Sequence, residues 1–330
     1  MDKVKKQRIV WIDWAKAILI YLMVVGHCIP APWQSTLIYA FHMPAFFMIS
    51  GYLYRQHHWW NTVKTFVIPI AFFSAINMVI YTAPKIIKGT FSTEHLLERM
   101  LVPFWGPGRL PSEDYIVLFP GVWFIIALLL GRLLMGDVKI MSWVTRYWEI
   151  VFSVLIVFLS IEPFLFPNNP LHDYKFYYVI PSIPFILLGY GMKGTLSFDW
   201  IKPWMAIIGF VGFVSISLMY GRAEILGCRY GSFYLLYFFN AVLGGGILFY
   251  VCTKFRQSGM IETFSKGTLL VMAFNFVLHS YLNVFFRGIG LGFFVDDKLF
   301  FPWVKALMIM LICYSPIKWL LRFYPALLGK

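Results

Sequence analysis

The chain has 330 residues, of which 60% are hydrophobic, 20% aromatic and only 13% charged, against about 25% charged residues in a soluble domain. That balance excludes a water-soluble globule and places the chain among integral membrane proteins. The net charge of +13 is the Lys and Arg excess that such proteins gather on their cytoplasmic side; no nucleic-acid-binding pattern accompanies it, so nucleic acid is not an expected partner.

In chain order, the basic segment Met1–Arg8 leads into an apolar run that holds Asp13 and Lys16. No small-residue cleavage site follows, so this run is expected to be a permanent first span and not a removable signal. Further spans follow on the criterion of about 20 apolar residues each. The full set is 10–28, 36–54, 64–83, 116–135, 147–166, 176–192, 203–220, 232–252, 267–286 and 301–321. The expected fold is therefore all-α, a polytopic membrane protein of about ten transmembrane helices. With the N-terminus inside, most Lys and Arg fall on inner segments, which puts both termini in the cytoplasm.

The longest connection, 84–115, lies on the outer side. Within Ser92–Leu101, Ser92 or Thr93 is placed to cap a short amphipathic helix, and Pro103-Phe104-Trp105-Gly106-Pro107-Gly108-Arg109-Leu110-Pro111 then breaks regular structure. This segment reads as a lid over an outward-facing site or as a helix lying in the membrane interface. Gly244-Gly245-Gly246 falls inside a span and predicts close helix packing. The four cysteines form no CxxC or zinc pattern, and no metal site is expected.

Polar residues within the spans are the functional candidates, because ionisable groups at membrane depth are costly. Lys16 and His27 are eleven residues apart, which returns to nearly the same helix face about 16 Å further along. Lys16 is then in the inner half of the first span and His27 near its outer end. Asp13 lies one turn below Lys16, where it can pair with it. The second span runs inward, so His42 is in its outer half, Ser50 deeper and Arg55 at the inner surface. In the ninth span Asn275 and His279 are one turn apart on one face, with His279 in the outer half. Three imidazoles from three spans thus share a depth, and a neutral imidazole suits general-base work near pH 7. The blander readings are an interfacial role for His27 and a packing role for His279. His57, His58, His95 and His172 read as solvated. No Ser-His-Asp triad can be drawn: Asp13 is too far below His27, and Glu162, near an outer span end, is a weak substitute.

At these residues the chain resembles the membrane acyltransferase-3 family, which O-acylates cell-surface sugars. The matching elements are Lys16, ten intervening residues and His27, then Phe41-His42-Met43-Pro44 and Phe46-Phe47-Met48-Ile49-Ser50-Gly51-Tyr52. Lys16 stands where many members have arginine, and the pattern looks like the compact ten-span bacterial acetyltransferases. Later echoes are Val122-Trp123-Phe124 and Pro184-Phe185-Ile186-Leu187-Leu188-Gly189-Tyr190. Before His279 the chain has Phe264-Ser265-Lys266-Gly267-Thr268-Leu269-Leu270, where members often have Ile-Gly-x-Asn-Ser/Thr-Leu.

The resemblance implies one transmembrane acyltransferase domain over 1–330 in a bacterial inner membrane. Acyl-CoA, usually acetyl-CoA, would enter from the cytoplasm as co-substrate, and the acyl group would pass to a hydroxyl of a cell-surface or lipid-linked sugar. In that scheme His27 is the base, Lys16 holds a polar part of the donor or lines its channel, and His42 orients the acceptor or the thioester carbonyl. Asp13, Ser50, Trp123, Asn275 and His279 are expected along the substrate path, and Arg55 and Lys64 at the CoA phosphates. The competing reading is a proton-coupled transporter or flippase for a glycan or small anion. Inverted repeats with Gly- or Pro-broken spans, a usual mark of such transporters, are not visible in the sequence.

Overall fold

A computed structural model describes residues 8–56, 58–89, 121–166, 169–194 and 196–330. Its long helices are α1 (Val10–His27), α2 (Pro32–Tyr52), α3 (Trp59–Ile87), α4 (Val122–Gly136), α6 (Trp148–Leu165), α7 (Val179–Gly191), α8 (Pro203–Tyr220), α9 (Tyr234–Cys252), α11 (Thr268–Gly288) and α13 (Phe301–Phe323). Shorter helices α5 (Val138–Arg146), α10 (Gly259–Lys266) and α12 (Gly292–Asp296) intervene. Every expected span is represented by a helix. The described residues contain no strand, only one isolated bridge between Glu224 and Arg229. The chain is a polytopic all-α membrane protein, with seven of these helices long and apolar enough to cross a bilayer.

Boundaries differ from expectation for local reasons. α2 starts at Pro32 because proline is pre-organised for the first helical turn and has no N–H to satisfy there. α3 runs to Ile87, so the start of the expected 84–115 loop is helix; residues 90–120, which hold the capped helix and the Pro-Gly segment, lie outside the described residues. α4 and α7 have 15 and 13 residues, fewer than a straight crossing needs.

α2 is the central helix. It buries Gln34, Thr36, His42 and Ser50 along with Phe46 and Phe47. A helix that buries both polar and apolar residues belongs in the interior of the bundle, where neighbours and cavities replace water. Glycine lets two neighbours reach its backbone. A Cβ on Gly51 would stand 1.9 Å from the Ile186 carbonyl oxygen of α7, and one on Gly189 would stand 1.9 Å from the Met48 carbonyl oxygen of α2. On the other side Gly244 and Gly245 of α9 meet Phe213, Phe41 and Met48 closely enough that a Cβ would clash. The glycine cluster read from the sequence does serve close packing. The outer faces of α6 and α8 carry Ile150, Val154, Ile207, Ile208, Phe210 and Val211, all exposed, as expected of helices against lipid.

α10 and α5 are polar on one side. Asp137 caps α5 by accepting from the Lys139 and Ile140 N–H groups. The four cysteines are buried and free.

Candidate active site

Two groups of polar side chains sit at opposite ends of α1. His27 and His42 mark the histidine end; Arg8, Lys16, Arg55, Lys266 and Lys330 mark the basic end.

At the histidine end a cavity of about 210 Å³ is lined by His27, Tyr39, His42, Trp123, Phe124, Arg222, Glu224 and Met272, among others. His27 comes from the last turn of α1, and its ring lies over Phe276, 4.3 Å between centres. The Asn275 amide donates through Nδ2 to the Met272 carbonyl at 2.6 Å. Its Oδ1 is therefore the atom left to face His27 Nδ1 at 2.7 Å, and it can only accept. His27 thus carries its proton on Nδ1, and Nε2 keeps a lone pair. The same logic applies to His42, whose Nδ1–H donates to the Ile38 carbonyl at 2.7 Å. Both imidazoles of the chamber are held by an Nδ1–H donor bond and keep basic Nε2 atoms.

A loop after α8 closes the chamber's rim. It turns back through Gly221 at φ 76°, a region few residues other than glycine adopt, and is pinned by paired backbone hydrogen bonds between Glu224 and Arg229. Arg222 donates to Glu224 at 3.0 Å, and its guanidinium carbon stands 4.1 Å from the centre of the Tyr39 ring. Gly26 leaves the space that Tyr39 occupies, since a Cβ there would meet its ring oxygen at 3.2 Å. Trp123 forms the opposite wall, edge-on to Tyr178 at 5.7 Å.

At the basic end a cavity of about 340 Å³ is lined by Arg8, Asp13, Lys16, Arg55, Ser265, Lys266 and Lys330, with apolar neighbours. Asp13 pairs with Arg8 through both carboxylate oxygens and accepts from the Ser265 hydroxyl at 2.6 Å. The expected Asp13–Lys16 pair is thus replaced by Asp13–Arg8, because α10 brings Ser265 and Glu262 to that side of α1. Glu262 is shared between Arg8 at 2.9 Å and Lys266 at 2.6 Å. The Lys266 hydrogen bond, aided by the Arg8 charge, holds the Glu262 carboxyl below its usual range, and the bond to Asp13 raises Arg8. Among the described residues Lys16, Arg132 and Lys330 form no ion pair with a carboxylate. Burial and the charges of Arg132, Arg8 and Lys266 lower Lys330, the signature of a site with more cations than counter-ions.

A third cavity, about 150 Å³, lies between the two ends and shares walls with both. Lys16, Leu53, Lys266 and Lys330 line it together with the basic cavity, and Phe124 and Met272 line it together with the histidine chamber. Ser50 and Arg132 face it, with Arg132 Nε donating to Ser50 Oγ at 3.2 Å.

The expected residues therefore divide. His27, His42 and Trp123 share one chamber; Asp13, Lys16 and Arg55 share the other; Ser50 lies between. Asn275 contacts His27 directly, and His279 is bonded to Asn283 at 3.0 Å. Lys64 does not join them: it is on the exposed side of α3, its Nζ 5.7 Å from the centre of the Trp60 ring. His172 is not solvated. It pairs with Glu162 at 2.9 Å, and Asn169 donates to the same oxygen at 2.8 Å, a separate tie outside the chamber. Sequence reading missed Tyr39, Arg132, Arg222, Glu224, Lys266 and Lys330. Arg132, a lone charge in the apolar run Val122–Gly136, carried a local signal; Tyr39 is one aromatic among many inside a span, and Arg222, Glu224, Lys266 and Lys330 sit in loops or at helix ends where a charge is unremarkable. Among the described residues no His, Cys, Asp and Glu cluster could hold a metal ion.

Comparison with known proteins finds one family, described as an acyltransferase domain, whose model matches residues 9–322. No curated protein and no solved structure matches the chain.

Proposed function

From the premise that this chain belongs to the acyltransferase-domain family and is a membrane acyltransferase, we propose that it moves an acyl group, usually acetyl, from acyl-CoA at the basic end to a hydroxyl at the histidine end. The observation that carries this reading is the Nε2 lone pair of His27, fixed by Asn275, in a chamber that meets the cavity of Lys16 at Phe124 and Met272.

The basic end suits the phosphates of CoA. Lys16, Arg132 and Lys330 offer charge-assisted donors in a partly buried setting, and phosphate oxygens supply the missing counter-ions; Lys266, already paired with Glu262, stands beside them. Arg55 lines the same mouth. Lys64 has no part in it. The cavity between the two ends is the smallest of the three, and it passes from the cations Lys16, Arg132 and Lys330 to the apolar walls Phe124 and Met272; the thioester arm, slimmer than the nucleotide, is the part of the donor assigned to it.

In the histidine chamber the acceptor hydroxyl donates to His27 Nε2. Its oxygen attacks the thioester carbonyl carbon as His27 takes the proton. The carbonyl oxygen becomes an oxyanion, the C–S bond breaks, and the departing thiolate takes the proton back from the imidazolium. Asn275 Oδ1 accepts from Nδ1–H throughout and stabilises the imidazolium without taking a proton. His42, with its Nδ1–H already used, offers only Nε2 and so orients an acceptor hydroxyl; it has no N–H for a thioester carbonyl. Trp123 provides a flat apolar wall of the kind that suits the face of a sugar ring, and Arg222 and Glu224 offer a donor and an acceptor to its hydroxyls. A cell-surface or lipid-linked sugar is the acceptor class we infer, with the basic end facing the cytoplasm of a bacterial inner membrane. One transmembrane domain then carries the whole reaction.

Purified protein with radiolabelled acetyl-CoA and a membrane glycan extract tests this. Label is expected in the glycan and is expected to vanish with His27→Ala at unchanged expression. Label transfer at the wild-type rate by His27→Ala would remove the base from this scheme.

A further inference from the structure

A buried lysine at the histidine end is left over by this mechanism. Lys305 lies in the first turns of α13 and is 2% exposed. None of the ion pairs among the described residues includes it. Its ammonium donates to Asn283 Oδ1 at 2.8 Å and stands 5.1 Å from the centre of the Phe301 ring. A buried cation without a counter-charge is costly and marks a functional position.

The direction of that contact propagates. An ammonium only donates, so the atom of Asn283 that faces Lys305 is the oxygen. The Asn283 nitrogen then faces His279 Nε2 at 3.0 Å and donates to it. A neutral imidazole has one N–H, so the proton of His279 resides on Nδ1. That atom is buried and has no hydrogen-bond partner among the described residues. His279 lies one turn beyond Asn275, the partner of His27, on the same face of α11, outside the side chains that line the chamber. A buried donor left without an acceptor calls for one from outside the fold.

We propose that Lys305, acting through Asn283, locks His279 as an Nδ1–H donor for a substrate oxygen. It complements the two imidazoles of the chamber, which present only lone pairs. Lys305 and Asn283 are positioning residues; the donor is His279. The proposal rests on the reading of His27 as base, because a base needs a separate donor for the oxyanion that forms.

The discriminating variant is Asn283→Asp. It keeps the volume and the lysine contact, but a carboxylate cannot donate to Nε2, so the tautomer of His279 must invert. Nitrogen-15 NMR of histidine-labelled protein in micelles, assigned with His279→Gln, reads this directly. Wild type is expected to show the Nδ1–H form, and Asn283→Asp the Nε2–H form. Acetyl transfer from acetyl-CoA to glycan extract is expected to fall by about 100-fold in kcat, with the KM for acetyl-CoA unchanged. Lys305→Met is expected to leave His279 as a mixture of tautomers. An Nε2–H form in wild type, or an unchanged tautomer in Asn283→Asp, overturns the proposal whatever the activity. Loss of activity in His27→Ala alone, with Asn283→Asp at wild-type kcat, overturns the donor role and leaves the base standing. Should His27→Ala stay active, the base reading fails, while the tautomer measurement still decides whether the relay exists.

Discussion

In the proposed scheme His27 is a base whose orienting partner, Asn275, is an amide and not a carboxylate. The amide can fix the ring and ease the charge on it, but it adds no full negative charge beside the imidazole. Removing the base is expected to lower kcat by about 10²–10⁴-fold, measured with acetyl-CoA and glycan extract. Asn275→Leu is expected to cost about 100-fold, because the ring loses its orientation while Nε2 remains; an unchanged kcat there would mean that packing against Phe276 alone aims the ring. At the other end, Lys16→Arg is expected to keep more activity than Lys16→Ala if charge is what the donor reads. Equal losses would show that the shape of the side chain matters instead.

The contact between α2 and α7 sets where His42 and Ser50 stand. Gly51 and Gly189 bring the two backbones together, and no side chain can yield at that point, because the atoms a Cβ would meet are carbonyl groups. Gly189→Ala is expected to destabilise the protein by about 1–3 kcal/mol, read as a lower melting temperature in micelles. Gly246→Ala on α9 is the matched control, since nothing lies within 4 Å of the added Cβ, and it is expected to melt as wild type does. Both glycines look alike in the sequence: each interrupts an apolar run. Which of them is indispensable depends on the neighbouring helix, and composition cannot report that.

Across the whole molecule, charge is divided between the two ends of the bundle. The unpaired cations of the basic end predict that the KM for acetyl-CoA rises with ionic strength, because counter-ions compete for the same sites. Lys330 adds a pH dependence. Its pKa is lowered, so it is protonated at low pH and loses its charge below the ordinary lysine range. The KM is therefore expected to rise as the solution becomes alkaline, and Lys330→Ala is expected to flatten that rise. Orientation is open to a direct measurement, since the four native cysteines are buried. A membrane-impermeant thiol reagent on intact cells is expected to label Ile29→Cys at the histidine end and spare Gln56→Cys at the basic end; the reverse pattern would invert the proposed direction of transfer.

The sequence by itself determined the class of fold and the places of the long helices among the described residues. Those properties follow from hydrophobic length and helical rise, which are local and additive along the chain. It also singled out Lys16, His27 and His42, because a charge or an imidazole within an apolar run is visible without any neighbour. Only the tertiary structure decided the partners. Asp13 turns to Arg8 and not to Lys16, Asn275 holds His27, and Lys64 faces away, while Arg222, Glu224 and Lys330 arrive from loops and chain segments hundreds of residues from α1. Pairing is settled by which helix faces touch, and that choice belongs to backbone approach at residues such as Gly51 and Gly189, where distant parts of the chain must fit at once.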